Sequence, residues 1–136
     1  MKLLPYLSFN GNCRDAIAFY EKAFNVKAEA CTWGDITKFD PNAVVPKGKE
    51  KWIMHACINV SDGIHFQLAD CDEQGKNIGT NICLQLTYKT ADEVKAVYNA
   101  LKAGGKVLCE LAPAFYAPLY GELVDRFGIR WSVMQA

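Results

Sequence analysis

Apolar and polar residues switch between a two-residue and a helical period along the chain, and they do so twice in the same order. Residues 3–9 (LLPYLSF) predict a strand whose Pro5 lies near the start, where a missing N–H is tolerated. Gly11-Asn12 break it, and Asn12 is the expected N-cap of a helix, with Asp15 favouring the positive helix end. Ala16, Tyr20, Ala23 and Phe24 recur at helical spacing, so the helix runs to about Phe24. Residues 26–34 (VKAEACTWG) alternate again, Ala28 and Ala30 against Lys27 and Glu29, a strand with one wet face. Residues 35–50, with Pro41, Pro46 and many charges, predict a long surface loop of the functional or mobile kind. Residues 52–60 (WIMHACINV) and 64–69 (IHFQLA) flank Ser61-Asp62-Gly63 and predict a hairpin. Residues 70–79 (DCDEQGKNIG) are polar, a linker in which Asp70 and Asp72 are expected to be solvated.

The second half repeats the order. Residues 81–88 (NICLQLTY) predict a strand; Thr90 and Glu93 form a T-x-x-E capping box; Val94, Val97, Tyr98 and Leu101 mark a helix face; Gly104-Gly105 end it. A strand at 106–111 (KVLCEL) is followed by an aromatic, Pro-containing connection at 112–121 (APAFYAPLYG). Two short strands, 122–125 and 130–134, then flank a turn at Arg126-Phe127-Gly128, which Asp125 and Gly128 serve. A shift of 78 residues places Asn12 on Thr90, Asp15 on Glu93 and Tyr20 on Tyr98. The prediction is an α+β fold in a single domain, 1–136, built of two β-α-β-β-β modules, 1–78 and 79–136. Neither half is expected to be stable alone, so the two should share one sheet system.

Composition narrows the function. With 136 residues, 51% hydrophobic, the chain can bury a real core. Lys+Arg and Asp+Glu are both 15, so no cationic excess serves a nucleic acid. No apolar run approaches the ~20 residues of a membrane-spanning helix, and the opening residues read as a strand instead of a signal peptide. A cytoplasmic location follows, in which the six cysteines stay reduced. Their irregular spacing disfavours a structural zinc site, and they read as small buried hydrophobes. No catalytic triad, phosphate loop or H-E-x-x-H motif occurs, so the catalytic residues are unassigned.

Two polar residues and several aromatics are left as site candidates. By alternation Ile53, His55, Cys57 and Asn59 share a face, on which His55 lines a cleft or is a hydrogen-bonded structural residue. Gln67 is the cleft-facing candidate of the next strand, and His65 is expected to be exposed at the hairpin. Trp33, Trp52 and Tyr116 are expected to wall a small-molecule pocket. Phe115 and Tyr120 come from the same segments, and Trp131 reads as core.

The segments PYLSFNGNCRDAIAFYEKAF (5–24), WIMHACINVSDG (52–63) and FYAPLYGELVDRFGIRW (115–131), in this order, resemble the PhnB-like proteins of the vicinal oxygen chelate superfamily, the glyoxalase/bleomycin-resistance/dioxygenase fold. The resemblance implies two paired modules that curl a mixed sheet around a cleft, a homodimer, and often a divalent metal held by His and Glu. It places His55 where PhnB-like proteins often carry a His. The methyltransferase label of some members is inherited naming, and this sequence has no glycine-rich cofactor loop. The metal positions implied by the family fall on Pro5 or Tyr6, near Asn81, on Gln67 or Ala69, and on Met134 or Gln135. None is a His or a carboxylate, so no metal and no other cofactor is expected.

The function expected is therefore a small-molecule-binding dimer with a small organic ligand as partner. One alternative is a metal-dependent lyase, isomerase or dioxygenase with a displaced metal site, built on His55 with Gln67 or a cysteine. The other is a dimerising interaction module.

Overall fold

A computed structural model describes residues 1–72 and 79–136. The chain divides into two compact units, Met1–Asn77 and Ile78–Ala136. Each has one helix on one face of its own four-stranded mixed sheet.

In the first unit the strands are β1 (Tyr6–Phe9), β2 (Glu29–Thr32), β3 (Ile53–Ser61) and β4 (Ile64–Asp70), with α1 (Cys13–Phe24) between β1 and β2. Their order across the sheet is β1-β4-β3-β2, β1 running parallel to β4 and the other pairs antiparallel. The helical period seen in the sequence buries Ala16, Ile17, Tyr20 and Phe24 against Phe9, Ala56, Ile58, Phe66 and Leu68. Phe66 meets the edges of both Tyr20 and Phe24, with ring centres 5.6 and 5.8 Å apart. Asn25 stops α1 in the left-handed conformation (φ 53°). The segment 35–50 opens with one 3-10 turn, Asp35–Lys38. Thr32 and the Lys38 ammonium bond to Asp35 and hold its carboxyl well below the usual carboxylate range, the lysine bond being the larger cause.

Two expectations for this unit need correction. Asn12 occupies the N-cap position, but its side chain accepts the Asn10 N–H and caps nothing in the helix. The start of α1 is served from across the unit. Asp70, expected in a solvated linker, is the last residue of β4 and only 6% exposed. Its Oδ1 accepts the N–H groups of Gly11 (2.8 Å) and Cys13 (3.0 Å), and its Oδ2 accepts that of Ile53 (2.9 Å). A carboxylate at a helix N-terminus gains from both the free N–H groups and the helix dipole. Asp72 is exposed and pairs with Lys49. Residues 73–78 of the expected linker lie outside the described residues.

The second unit contains β5 (Leu84–Tyr88), α2 (Ala91–Leu101), β6 (Lys106–Ala114), β7 (Ala117–Val124) and β8 (Arg130–Gln135), in the sheet order β5-β8-β7-β6. The capping box forms as the sequence predicts: Thr90 Oγ1 accepts the Glu93 N–H, and the Glu93 carboxylate accepts the Thr90 N–H. Val94, Val97, Tyr98 and Leu101 pack with Leu123, Trp131 and Val133, so Trp131 is core. The expected connection at 112–121 is mostly strand. β6 and β7 form a long hairpin turning at Phe115-Tyr116, and it accommodates Pro113 and Pro118 through repeated register shifts. Gly121 lies where a Cβ would stand 2.6 Å from the Tyr98 ring, so only glycine lets that ring close onto the sheet. At the β7–β8 turn, buried Asp125 accepts the N–H groups of Phe127 and Ile129 and the indole N–H of Trp131 (2.9 Å). Among the described residues, no helix is long and apolar enough to cross a membrane.

Candidate functional site

Directly opposed residues in a sheet point to the same face. In the first unit one row crosses all four strands: Tyr6 lies opposite Gln67, Gln67 opposite Cys57, and Cys57 opposite Glu29. The row lies on the face away from α1, as the alternation with buried Leu68 and Ala56 requires. Cys31 and His55 form the neighbouring pair, and Asn59 pairs with His65 on the same face. The rings of Tyr6 and His55 lie 6.2 Å apart, tilted by 59°. Ile53 does not join this face. A register shift between Cys31 and Thr32 sets Ile53 opposite Thr32, and it is 2% exposed.

Glu29, Ala30, Cys31, His55 and Cys57 line a shallow cavity of about 240 Å³. Its lining offers one carboxylate, one imidazole and two thiols. Burial pushes the Tyr6 phenol up, helped by nearby cysteines, so it stays a hydrogen-bond donor. Burial, then the Glu29 carboxylate, pushes the Cys57 thiol up, which keeps it protonated and a poor nucleophile. Gln67 is half-buried, and its amide has no hydrogen-bond partner among the described residues.

The second unit has a comparable row on the face away from α2: Gln85, Ser132, Glu122 and Cys109. Here the acid is enclosed. Glu122 Oε1 takes the Arg130 guanidinium through Nε and Nη2, and Oε2 accepts the Tyr120 hydroxyl at 3.0 Å. Arg130 Nη1 also donates to the Thr80 carbonyl at 3.0 Å. Burial first, and Glu122 second, push the Tyr120 phenol up to about 12. Tyr120 continues into an edge-to-face chain through Tyr116 to Phe115, with centres 5.4 and 4.9 Å apart.

Of the residues singled out in the sequence, His55 and Gln67 share the helix-free face of the first unit. Trp33 and Trp52 meet only through the backbone, Trp33 N–H to Trp52 carbonyl at 3.0 Å. The Trp52 ring lies against Gly11 at the start of α1, with Lys49 Nζ 4.5 Å above it. Tyr116 belongs to the second unit, exposed at the hairpin tip with Phe115. His65 is half-buried. The period-two alternation of 26–34 and 52–60 carries the signal for Glu29, Cys31 and Cys57, and only the register joins them to one another and, through Gln67, to Tyr6. The cysteines depart from the expectation of burial: Cys13 is buried, Cys109 exposed, the rest half-buried, and all six are free thiols.

The positions where the family resemblance puts metal ligands hold unsuitable donors. Tyr6 and Gln67 stand side by side, a phenol that keeps its proton and a neutral amide. The Met134 thioether accepts the Gln85 amide at 3.1 Å. None is the anionic oxygen or imidazole that a hard or borderline divalent ion prefers. Among the described residues, no three or more His, Cys, Asp or Glu side chains gather in a way that would hold a metal ion.

Residues 1–134 match the family described as 3-demethylubiquinone-9 3-methyltransferase. The protein YjdN of Escherichia coli strain K12 is 30% identical over 139 residues, covering 98% of this chain and 94% of YjdN. Among solved structures, protein PA1353 from Pseudomonas aeruginosa is 28% identical with a TM-score of 0.83, covering 99% of this chain and 97% of that one. A PhnB protein from Bacillus cereus, 24% identical and covering 100% of both chains, shares the fold with a TM-score of 0.76. A glyoxalase/bleomycin resistance protein from Catenulispora acidiphila shares it at 9% identity and a TM-score of 0.57, covering 100% of this chain and 98% of that one.

Proposed function

Because the chain belongs to the 3-demethylubiquinone-9 3-methyltransferase family, as a PhnB-like member of the vicinal oxygen chelate superfamily, we propose that it is a small-molecule-binding protein working without a resident metal. The observation that carries this reading is the continuous row Tyr6–Gln67–Cys57–Glu29, flanked by His55 and opening on a cavity. A half-buried amide and imidazole and the exposed Tyr6 phenol orient an organic ligand by hydrogen bonds, and ring faces supply apolar area. The reading without metal is supported by the donors at Tyr6, Gln67 and Met134, which suit hydrogen bonds better than ion coordination. Methyl transfer has no counterpart in the sequence, which lacks a glycine-rich loop for a methyl donor.

The ligand site comprises His55 and Gln67, joined by Tyr6 and Glu29 on the helix-free face of the first unit. The protein acts as a homodimer, a reading supported by exposed Ile82, Leu108, Phe115 and Tyr116, which a second copy would cover. Six free thiols support a reducing compartment, the cytoplasm.

A thermal-shift screen of neutral and aromatic metabolites tests the binding reading. Stabilising compounds are expected, with the shift reduced in His55→Ala and Gln67→Ala. A screen without a stabilising compound argues against it. Elemental analysis of protein purified without chelator is expected to give far less than one metal per chain. One equivalent of metal, lost in His55→Ala, would instead establish an enzyme with a displaced site.

A further inference from the structure

Two carboxylates stand on the helix-free faces, and they differ in what they touch. Glu122 is saturated by Arg130 and Tyr120. Glu29, on the edge strand β2, has no ion-pair or hydrogen-bond partner for its carboxylate among the described residues; its sequence neighbour Lys27 turns instead to Glu21. Glu29 lines the cavity with His55, Cys31 and Cys57, and neither Lys nor Arg is among the lining residues. The Cys57 thiol opposite it is held protonated, by burial first and by Glu29 itself second. The ring pair Tyr6–His55 lies on the same face, and Tyr6 is three strand spacings from Glu29, about 14 Å of sheet.

We infer that the first unit's face selects an organic cation, a protonated amine or amidine on an aryl or alkyl body, with its nitrogen at Glu29 and its body across Cys57 and Gln67 toward Tyr6 and His55. This rests on the binding reading above and adds the ligand's charge class. An anionic ligand meets a like charge with no counter-charge here and finds no guanidinium or ammonium among the lining residues. A cation gains an open carboxylate for its nitrogen at one end, and its uncharged body meets the Tyr6 and His55 rings at the other.

The test is an amide NMR titration of the full chain at pH 7 with three probes sharing one body: 3-phenylpropylamine, 3-phenylpropan-1-ol and 3-phenylpropanoate. The amine is expected to bind about two- to fivefold tighter than the alcohol, the range of a partly exposed ion pair, and the carboxylate more weakly than either. In Glu29→Gln the amine should lose its advantage over the alcohol, the ratio of the two affinities falling to about one. Equal affinities, a preference for the carboxylate, or an amine preference that survives Glu29→Gln would overturn the charge class while leaving the binding reading intact. If none of the three shifts the amides of β2 and β3, the binding reading falls, and the charge class with it.

Discussion

On the first sheet Glu29 stands open at an edge, on a cavity it shares with His55 and two cysteines. On the second, Glu122 is enclosed by Arg130 and Tyr120. The strand order and the helix placement of the two units correspond, so topology does not set this difference. It comes from which side chains the register brings opposite one another. Arg130 enters β8 two residues before Ser132, the register partner of Glu122, close enough for a two-point grip. Across from Glu29 stands Cys57, which cannot neutralise it. A partnered carboxylate ties its strands together, whereas an open one leaves its hydrogen-bonding capacity for something else.

The helix starts differ in the same way, and here the largest effect is expected. α1 draws its cap from Asp70 at a distance in sequence, while α2 is capped locally by Thr90 and Glu93. Asp70→Ala leaves two buried N–H groups and one partly buried one without their acceptor, and should lower the unfolding free energy by roughly 3–5 kcal/mol in urea titrations. A loss below about 1 kcal/mol would mean that the start of α1 does not depend on Asp70. Gly121→Ala drives a methyl into the Tyr98 ring and should cost about 1–3 kcal/mol by the same measurement. Caps sharpen the contrast further: Thr90→Ala should cost about 1 kcal/mol, and Asn12→Ala only a few tenths, because its side chain bonds nothing in α1. Equal costs would erase the distinction between the two units.

The smallest effect concerns pH. Tyr120 keeps its proton in the folded state up to about 12, whereas the unfolded phenol loses it near 10. Its contribution to stability is therefore complete below about pH 10 and declines as pH rises toward about 12. In Tyr120→Phe the decline over that window should be shallower. In Glu122→Gln the Tyr120 titration, followed by NMR of ring-labelled tyrosine, should move down yet stay above 10, since burial is the larger cause. An unmoved midpoint would show that Glu122 does not hold the phenol.

Much of this fold is written in local pattern. Both helices, the Asp62-Gly63 hairpin and the Thr90 capping box follow from spacing within a few residues, where period and turn chemistry decide. What local pattern lacks is long-range pairing. Asp70 reads as linker because its polar neighbours outvote it, and its helix-capping role depends on Gly11 and Cys13, nearly sixty residues away. Residues 112–121 read as a connection because Pro113 and Pro118 discourage strand; register shifts absorb them, and β6 has an open edge that needs no second ladder. The site shows the same limit. His55 and Gln67 were legible by alternation, yet the shift near Thr32 removes Ile53 from their face, and the row to Glu29 appears only once strands are paired. Aromaticity alone marks Trp33 and Trp52 as pocket walls, and it carries no direction: the Trp52 ring lies on Gly11 at the start of α1.

If the helix-free face of the first unit is the binding surface, a bound ligand must perturb its strands first. Amide shift mapping with the most stabilising compound of the thermal screen tests it most directly. Changes clustered at Tyr6, His55, Cys57 and Gln67, and lost in Gln67→Ala, are the predicted result; changes centred on Tyr120, Glu122 and Arg130 would contradict it.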